Sequence, residues 1–282
     1  MYLQHFGLAE LPFGLTPDTA FAFATRSHQE ALNTLLVAAA GGEGFIKITG
    51  EVGTGKTLLC RRFLATLPAA DVSCYLPNPS HTPRTLLFAL ARELDLAVPA
   101  AANEYTLQQR IEERLLALAA DGRRVVVCVD EAQALRTASL ETLRLLSNLE
   151  TEKRKLLQVV LFGQPELDEK LAQPNLRQLR QRISFHDRLG VLGRDELARY
   201  VEHRLRVAGH RDGTLFSRGA VASLQRASGG TPRMVNILAH KALLAAYGAG
   251  AAAVERCHVR DAARDTLDRP HGGFAPWRWL LR

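Results

Sequence analysis

Apolar positions along the chain follow two patterns that take turns. Short apolar runs at residues 45–49, 72–76, 125–129 and 156–162 read as strands. The densest, Val125-Val126-Val127-Cys128-Val129, has no polar interruption, as a strand buried on both faces of a parallel sheet requires. Between these runs apolar residues recur three and four apart, which predicts helices. They cover residues 28–40 (Leu32, Leu35, Leu36), 56 to about 67 (stopped by Pro68), and 83–96 (Leu86, Leu87, Leu90, Leu94). Two more carry Leu107, Ile111, Leu115 and Leu118, and span 139–149. Residues 183–189 alternate as a final strand. Strands alternating with helices predict an α/β parallel sheet flanked by helices.

After about residue 192 only helical spacing is left, over 196–207, 216–227, 232–247 and 254–265. This predicts a small all-helical domain following the sheet domain. The expected division is 1–191 for the sheet domain with an N-terminal segment, 192–267 for the helical domain, and 268–282 for a C-terminal tail. The N-terminal segment is rich in loop residues, and its Phe6, Phe13, Phe21 and Phe23 are expected to pack on the sheet domain.

Hydrophobic residues at 47% beside 23% charged ones exclude large-scale disorder. The four cysteines (Cys60, Cys74, Cys128, Cys257) form no C-x-x-C pair, so neither a zinc site nor a disulfide framework is expected, and a reducing cytoplasm fits. The first residues lack a basic stretch followed by an apolar one, so no secretory leader is expected. No apolar run reaches the roughly 18 residues of a membrane-spanning helix. The net charge of +7 allows an anionic partner (ATP, nucleic acid or an acidic membrane) and equally an ordinary basic surface. Trp277, Trp279, Leu280 and Leu281 lie beside Arg278 and Arg282 in the tail, a mixture suited to a membrane interface or a protein groove.

One stretch carries specific chemistry. Gly50-Glu51-Val52-Gly53-Thr54-Gly55-Lys56-Thr57 satisfies G-x-x-x-x-G-K-[ST] and stands between a predicted strand and a predicted helix. Glycines let backbone N–H groups turn inward around phosphates, and the helix start directs its positive end at them. Lys56 adds a cation for the terminal phosphates, and Thr57 offers a hydroxyl to Mg²⁺. Leu58 completes the nucleotide-contacting stretch. The second half of the site is Asp130-Glu131, at the end of the apolar run 125–129 and expected beside the P-loop strand. Asp130 is placed to hold Mg²⁺ through water, and Glu131 to act as the base on the attacking water. ATP and Mg²⁺ are the cofactors this pattern implies.

Further strings extend the pattern: Tyr2-Leu3-Gln4-His5-Phe6-Gly7-Leu8, Asp130-Glu131-Ala132-Gln133, Ser147-Asn148-Leu149-Glu150-Thr151, Gly163-Gln164-Pro165-Glu166-Leu167 and Gly229-Gly230-Thr231-Pro232-Arg233. With them the chain resembles, over about residues 1–267, the AAA+ ATPases of the ExeA/GspA secretion and MSHA-pilus biogenesis group. The resemblance implies a P-loop NTPase (AAA+) sheet domain with a helical lid. It also implies roles for residues that spacing leaves open. Gln164 takes the sensor 1 position, Arg233 takes sensor 2, and Arg182 stands where related proteins place an arginine finger, with Arg177 and Arg180 close enough to compete. Asn78 is a weaker expectation, a side chain to hold Glu131 idle.

The function that follows is Mg-dependent ATP hydrolysis serving assembly or remodelling of a type IV-like (MSHA) pilus or type II secretion apparatus. A homo-oligomer, inner-membrane assembly proteins as partners, and a cytoplasmic location with peripheral membrane contact through the tail are implied with it. Because the chain stops at Arg282 without the span and wall-binding domain of secretion-type relatives, direct peptidoglycan binding is not expected. A DNA-acting AAA+ ATPase is the alternative, which the net charge permits. A small-substrate P-loop kinase is a third reading, opposed by the Gly-Gly-Thr-Pro-Arg string of the lid.

Overall fold

A computed structural model describes residues 2–16, 18–77, 82–150, 155–211 and 213–267. They divide into two compact units, one of residues 26–52 and 56–190, the other of residues 1–25, 53–55 and 191 onward.

The first unit is built on five parallel strands: β1 (Phe45–Gly50), β2 (Val72–Leu76), β3 (Val125–Val129), β4 (Leu157–Gly163) and β5 (Ile183–Leu189). Their order across the sheet is β2-β3-β4-β1-β5. The side-chain period of two explains why β3 is apolar throughout. Val125, Val127 and Val129 enter one core with helices α4 (Pro83–Glu93), α5 (Glu104–Ala120) and α6 (Thr137–Leu146). Val126 and Cys128 enter the other with α2 (Arg26–Gly41) and α3 (Lys56–Thr66). Both faces of the sheet are therefore covered, as parallel sheets demand. β5, at the edge, alternates half-buried and exposed positions until the buried Leu189.

Local signals set the helix ends. The Thr82 hydroxyl and the Asn103 amide oxygen accept backbone N–H groups at the starts of α4 and α5. The helix expected to reach residue 96 stops at Glu93, because Asp95 turns into the left-handed region at φ 55°. Two helices have no counterpart in the sequence reading: α7 (Glu166–Leu171) and α8 (Arg177–Arg182), six residues each.

The second unit contains α1 (Tyr2–His5), α9 (Arg194–Val207), α10 (Arg218–Ser228), α11 (Pro232–Gly248) and α12 (Arg256–Leu267). Phe216 and Val254, expected at helix starts, instead form an isolated parallel bridge, and α10 and α12 begin two residues later. The N-terminal aromatic residues also differ from expectation. Phe6, Phe13 and Phe21 are buried in the helical core with Leu197, Val201 and Leu205 of α9, and Phe23 packs against it, rather than on the sheet. The reason lies in α9. Its buried Arg204 donates to the carbonyl of Pro12 at 2.5 Å and stacks 4.8 Å from the Phe21 ring. Among the described residues no helix is long and apolar enough to cross a membrane. All four cysteines are free, and only Cys257 is exposed. The tail beyond residue 267, with Trp277 and Trp279, lies outside the described residues.

Candidate active site

The loop between β1 and α3 bends at Gly53 and Gly55, whose φ values of 81° and 96° suit glycine alone. Gly53, Thr54 and Gly55 group with the helical unit. Within it, the exposed Arg233, in the first turn of α11, donates its backbone N–H to Gly53 O at 3.2 Å. A Cβ on Gly53 would come within 2.5 Å of the Arg233 Cβ, so both the turn and the close approach require glycine. Thr54 is buried, Glu51 and Val52 are exposed, and Leu58 is half-buried.

Lys56 is only 5% exposed. Its Nζ donates to the carbonyls of Gly50 at 2.7 Å and Glu51 at 3.1 Å, so the ammonium is held on the loop itself. Burial lowers its pKa below the ordinary lysine value, against the opposing pull of the Glu131 and Asp130 carboxylates.

Asp130 follows β3, which is not the neighbour of β1: β4 lies between them. The expected adjacency therefore fails, yet the side chains still meet. Thr57, in the first turn of α3, donates from Oγ1 to Asp130 Oδ2 at 2.6 Å. The helix and two side chains thus bridge the extra strand, which adds about 4.8 Å per spacing. Tyr75 Oη, from β2, donates to the same oxygen at 3.3 Å, and the Glu131 N–H donates to Asp130 Oδ1 at 3.0 Å. Burial, and then the nearby Asp130 charge, push the Tyr75 phenol up to about 12, so it is a donor at any physiological pH. Asp130 and Thr57 together present hard oxygen donors of the kind Mg²⁺ selects. Among the described residues no group of three or more His, Cys, Asp or Glu side chains could hold a metal.

Glu131 adopts φ 53° and ψ 38°, a left-handed conformation that costs a non-glycine residue of order 1–3 kcal/mol. The turn brings Gln133 back over it. Gln133 Nε2 donates to Glu131 Oε2 at 2.6 Å, and Gln164 Nε2 donates to the same oxygen at 3.0 Å. Gln133 Oε1 accepts the Gln164 backbone N–H at 3.0 Å, closing the ring of three residues. The ammonium of Lys170, on α7, is bonded to the carbonyls of Gln133 and Leu135. Burial raises the Glu131 pKa, but the two amides and Lys56 outweigh it, and the net shift is downward.

Arg182 closes α8, half-buried, with Nη1 donating to Ser147 Oγ at 3.2 Å. Ser147 in turn donates to Arg144 O at 2.7 Å. Arg177 and Arg180 are exposed. Asn78 lies outside the described residues. Thr57, Asp130, Glu131 and Gln164 are thus joined by hydrogen bonds at the strand ends of the sheet unit, with the Lys56 ammonium held on the loop and acting on Glu131 and Asp130 through its charge, while Arg182 is anchored separately. Gln133 and Tyr75 belong to the cluster without having been singled out. Gln133 stands in the Asp130–Gln133 string, and its type and nearness to Glu131 were the available signal. Tyr75 carried none beyond its strand.

The family described as AAA domain matches residues 39–171. General secretion pathway protein A of Aeromonas hydrophila is 46% identical over 250 residues, covering 89% of this chain and 46% of that protein. The chain thus spans about half the length of that relative. Among solved structures, Cdc6p from Pyrobaculum aerophilum superimposes with a TM-score of 0.69 at 17% identity, over 89% of this chain and 71% of that one. The ORC1 protein of Aeropyrum pernix, in complex with DNA, gives 0.65 at 19%, over 90% and 69%. At such identities the structural likeness speaks for the fold. The parallel sheet with flanking helices thus matches P-loop AAA+ folds, residues 39–171 match the AAA domain family, and most of the chain is similar to part of General secretion pathway protein A.

Proposed function

We propose that this chain binds ATP with Mg²⁺ and hydrolyses it, and that the cycle serves assembly or remodelling of an envelope machine. The observation that carries the reading is the hydrogen-bonded cluster of Thr57, Asp130, Glu131 and Gln164 behind a full P-loop that holds the Lys56 ammonium. Gly50, Glu51, Val52, Gly53, Thr54 and Gly55 wrap the phosphates, with Lys56 released from its loop carbonyls to the terminal ones. Thr57 and Asp130 would hold Mg²⁺, the latter through water, and the ion would supply charge neutralisation at the phosphates. Glu131 takes a proton from the attacking water. Gln164 places that water or the γ-phosphate. Arg233 reads the γ-phosphate from the helical lid (192–267), and Arg182 serves a neighbouring protomer's site.

For the machine itself, the similarity to General secretion pathway protein A supports a type II secretion apparatus. The finer placement with the MSHA-pilus branch, nearest MshM, rests on the motif strings alone. Homo-oligomers, inner-membrane assembly proteins and a tail touching the membrane from the cytoplasmic side complete the proposal. The +7 charge keeps a DNA-acting ATPase as the alternative, which turnover stimulated by duplex DNA and falling steeply with salt would favour.

Two variants test the chemistry. Lys56→Ala is expected to abolish binding of a fluorescent ATP analogue. Glu131→Gln is expected to keep that binding and lose turnover by about 10²–10⁴-fold, the usual contribution of a positioned base. Normal turnover in Glu131→Gln would remove Glu131 from that role.

A further inference from the structure

The ring formed by Glu131, Gln133 and Gln164 is asymmetric. Both side-chain amides donate to one carboxylate oxygen, Oε2, at 2.6 and 3.0 Å. Among the described residues, Oε1 accepts no hydrogen bond. The two donors come from different elements, the 3-10 turn after β3 and the segment after β4. Together they fix the plane of a side chain that would otherwise swing freely and exchange its oxygens.

Gln133 can point only one way in this ring. Its Oε1 must meet the Gln164 N–H, so its Nε2 must meet Glu131. Its backbone carbonyl is held by Lys170. Space around its amide is tight as well: a Cβ on Gly163 would lie 3.3 Å from Gln133 Oε1 and 2.6 Å from Leu167 Cδ2.

We infer that Gln133 is a positioning residue for hydrolysis: it clamps Oε2 of Glu131, leaving Oε1 as the oxygen that takes the proton of the attacking water. The inference rests on the reading of Glu131 as base. In the step, one water O–H bond breaks and its proton passes to Oε1. The water oxygen bonds to the γ-phosphorus, and the bond from that phosphorus to the bridging oxygen breaks, its electron pair leaving with ADP. Gln133 touches neither water nor phosphate and acts through Glu131 alone.

The test uses the full chain with ATP in steady-state turnover, alongside nucleotide affinity and thermal melting. Gln133→Leu, which keeps the volume and removes both polar ends, is expected to lower kcat about 10- to 100-fold, part of what a positioned base supplies. KM for ATP and analogue affinity should stay within about twofold, since no ground-state contact is lost. In a Glu131→Gln background the same substitution should lower turnover no further. If Gln133→Leu melts early, Gln133→Glu provides the second variant. At 2.6 Å from Glu131 the new carboxylate shares a proton with it or repels it, so the clamp on Oε2 is altered while the acceptor for the Gln164 N–H is kept, and kcat should fall with a shifted pH dependence.

Unchanged or raised turnover in a folded Gln133→Leu protein would overturn the inference while leaving Glu131 as base. A further loss in the Glu131→Gln background would also overturn it, by showing an action independent of Glu131. If Glu131→Gln itself turns over normally, the underlying reading fails instead.

Discussion

Glu131 stands at φ 53°, a conformation that beta carbons resist, and the local chain is arranged to hold it there. Lys170 holds the carbonyls of Gln133 and Leu135, and Leu167 packs where any side chain at residue 163 would have to go. Gly163→Ala should therefore force Leu167 or the Gln133 amide to move. A cost of about 1–3 kcal/mol, as for other overpacked cores, is expected in urea denaturation, with a fall in turnover alongside. Stability and turnover equal to wild type would show that the space can open. At this scale the P-loop was legible in full, because its chemistry is consecutive in the chain. Asp130 and Glu131 were legible because a carboxylate pair ends an apolar run. The contact between Gln133 and Glu131 was not. It depends on one left-handed residue, and nothing in a Glu residue announces that conformation.

The elements were read well wherever a pattern had room to repeat. All five strands stand within a residue of where alternation or apolar density placed them, whereas α7 and α8, at six residues, hold under two turns each. Strand order was not readable, since every parallel crossover is long enough to skip a neighbour, and β4 takes the place next to β1 that β3 was expected to have. The N-terminal segment was misassigned because an aromatic run reports that it will be buried, not against what. Its attachment to α11 gives a prediction. Tyr2 Oη and His240 Nδ1 lie 3.1 Å apart. Burial, and then Lys241, lower the His240 pKa from 6.5, while burial pushes Tyr2 up to about 12. Tyr2 thus donates to a neutral imidazole. In the unfolded chain His240 binds its proton near 6.5, in the folded one only at lower pH, so in that window the unfolded state holds more protons. Stability from this group is full above that value and is lost as pH falls through the folded pKa. His240→Gln keeps an acceptor for Tyr2 but does not titrate. The melting temperature should therefore drop less than wild type between about pH 7.5 and pH 5.5. An equal drop would place the acid sensitivity elsewhere.

At the scale of the whole molecule, the proposed hydrolysis turns on which groups one chain supplies to its own site. The sheet unit supplies a cation at Lys56, a carboxylate at Glu131 and a polar amide at Gln164, but Arg182 is not joined to them. Its guanidinium is hydrogen-bonded to Ser147, at the end of α6, by one nitrogen. A finger acting on another protomer needs such an arrangement: a delocalised cation oriented from behind, with donors left over for phosphoryl oxygens. Among the described residues, Arg177 and Arg180, exposed on the same short helix, have no side-chain anchor of this kind and are the weaker contenders. Sites completed between protomers make turnover per chain rise with protein concentration, whereas self-contained sites give a flat response. Wild type is expected to show the rise. Arg182→Ala should lose about 10³-fold or more in turnover while still binding the ATP analogue, the scale of effect an arginine finger carries. The same loss in Arg177→Ala or Arg180→Ala, with Arg182→Ala intact, would move the finger along α8. A flat response untouched by all three would mean that each protomer hydrolyses ATP alone, and the proposed assembly would lose its reason to form around the nucleotide.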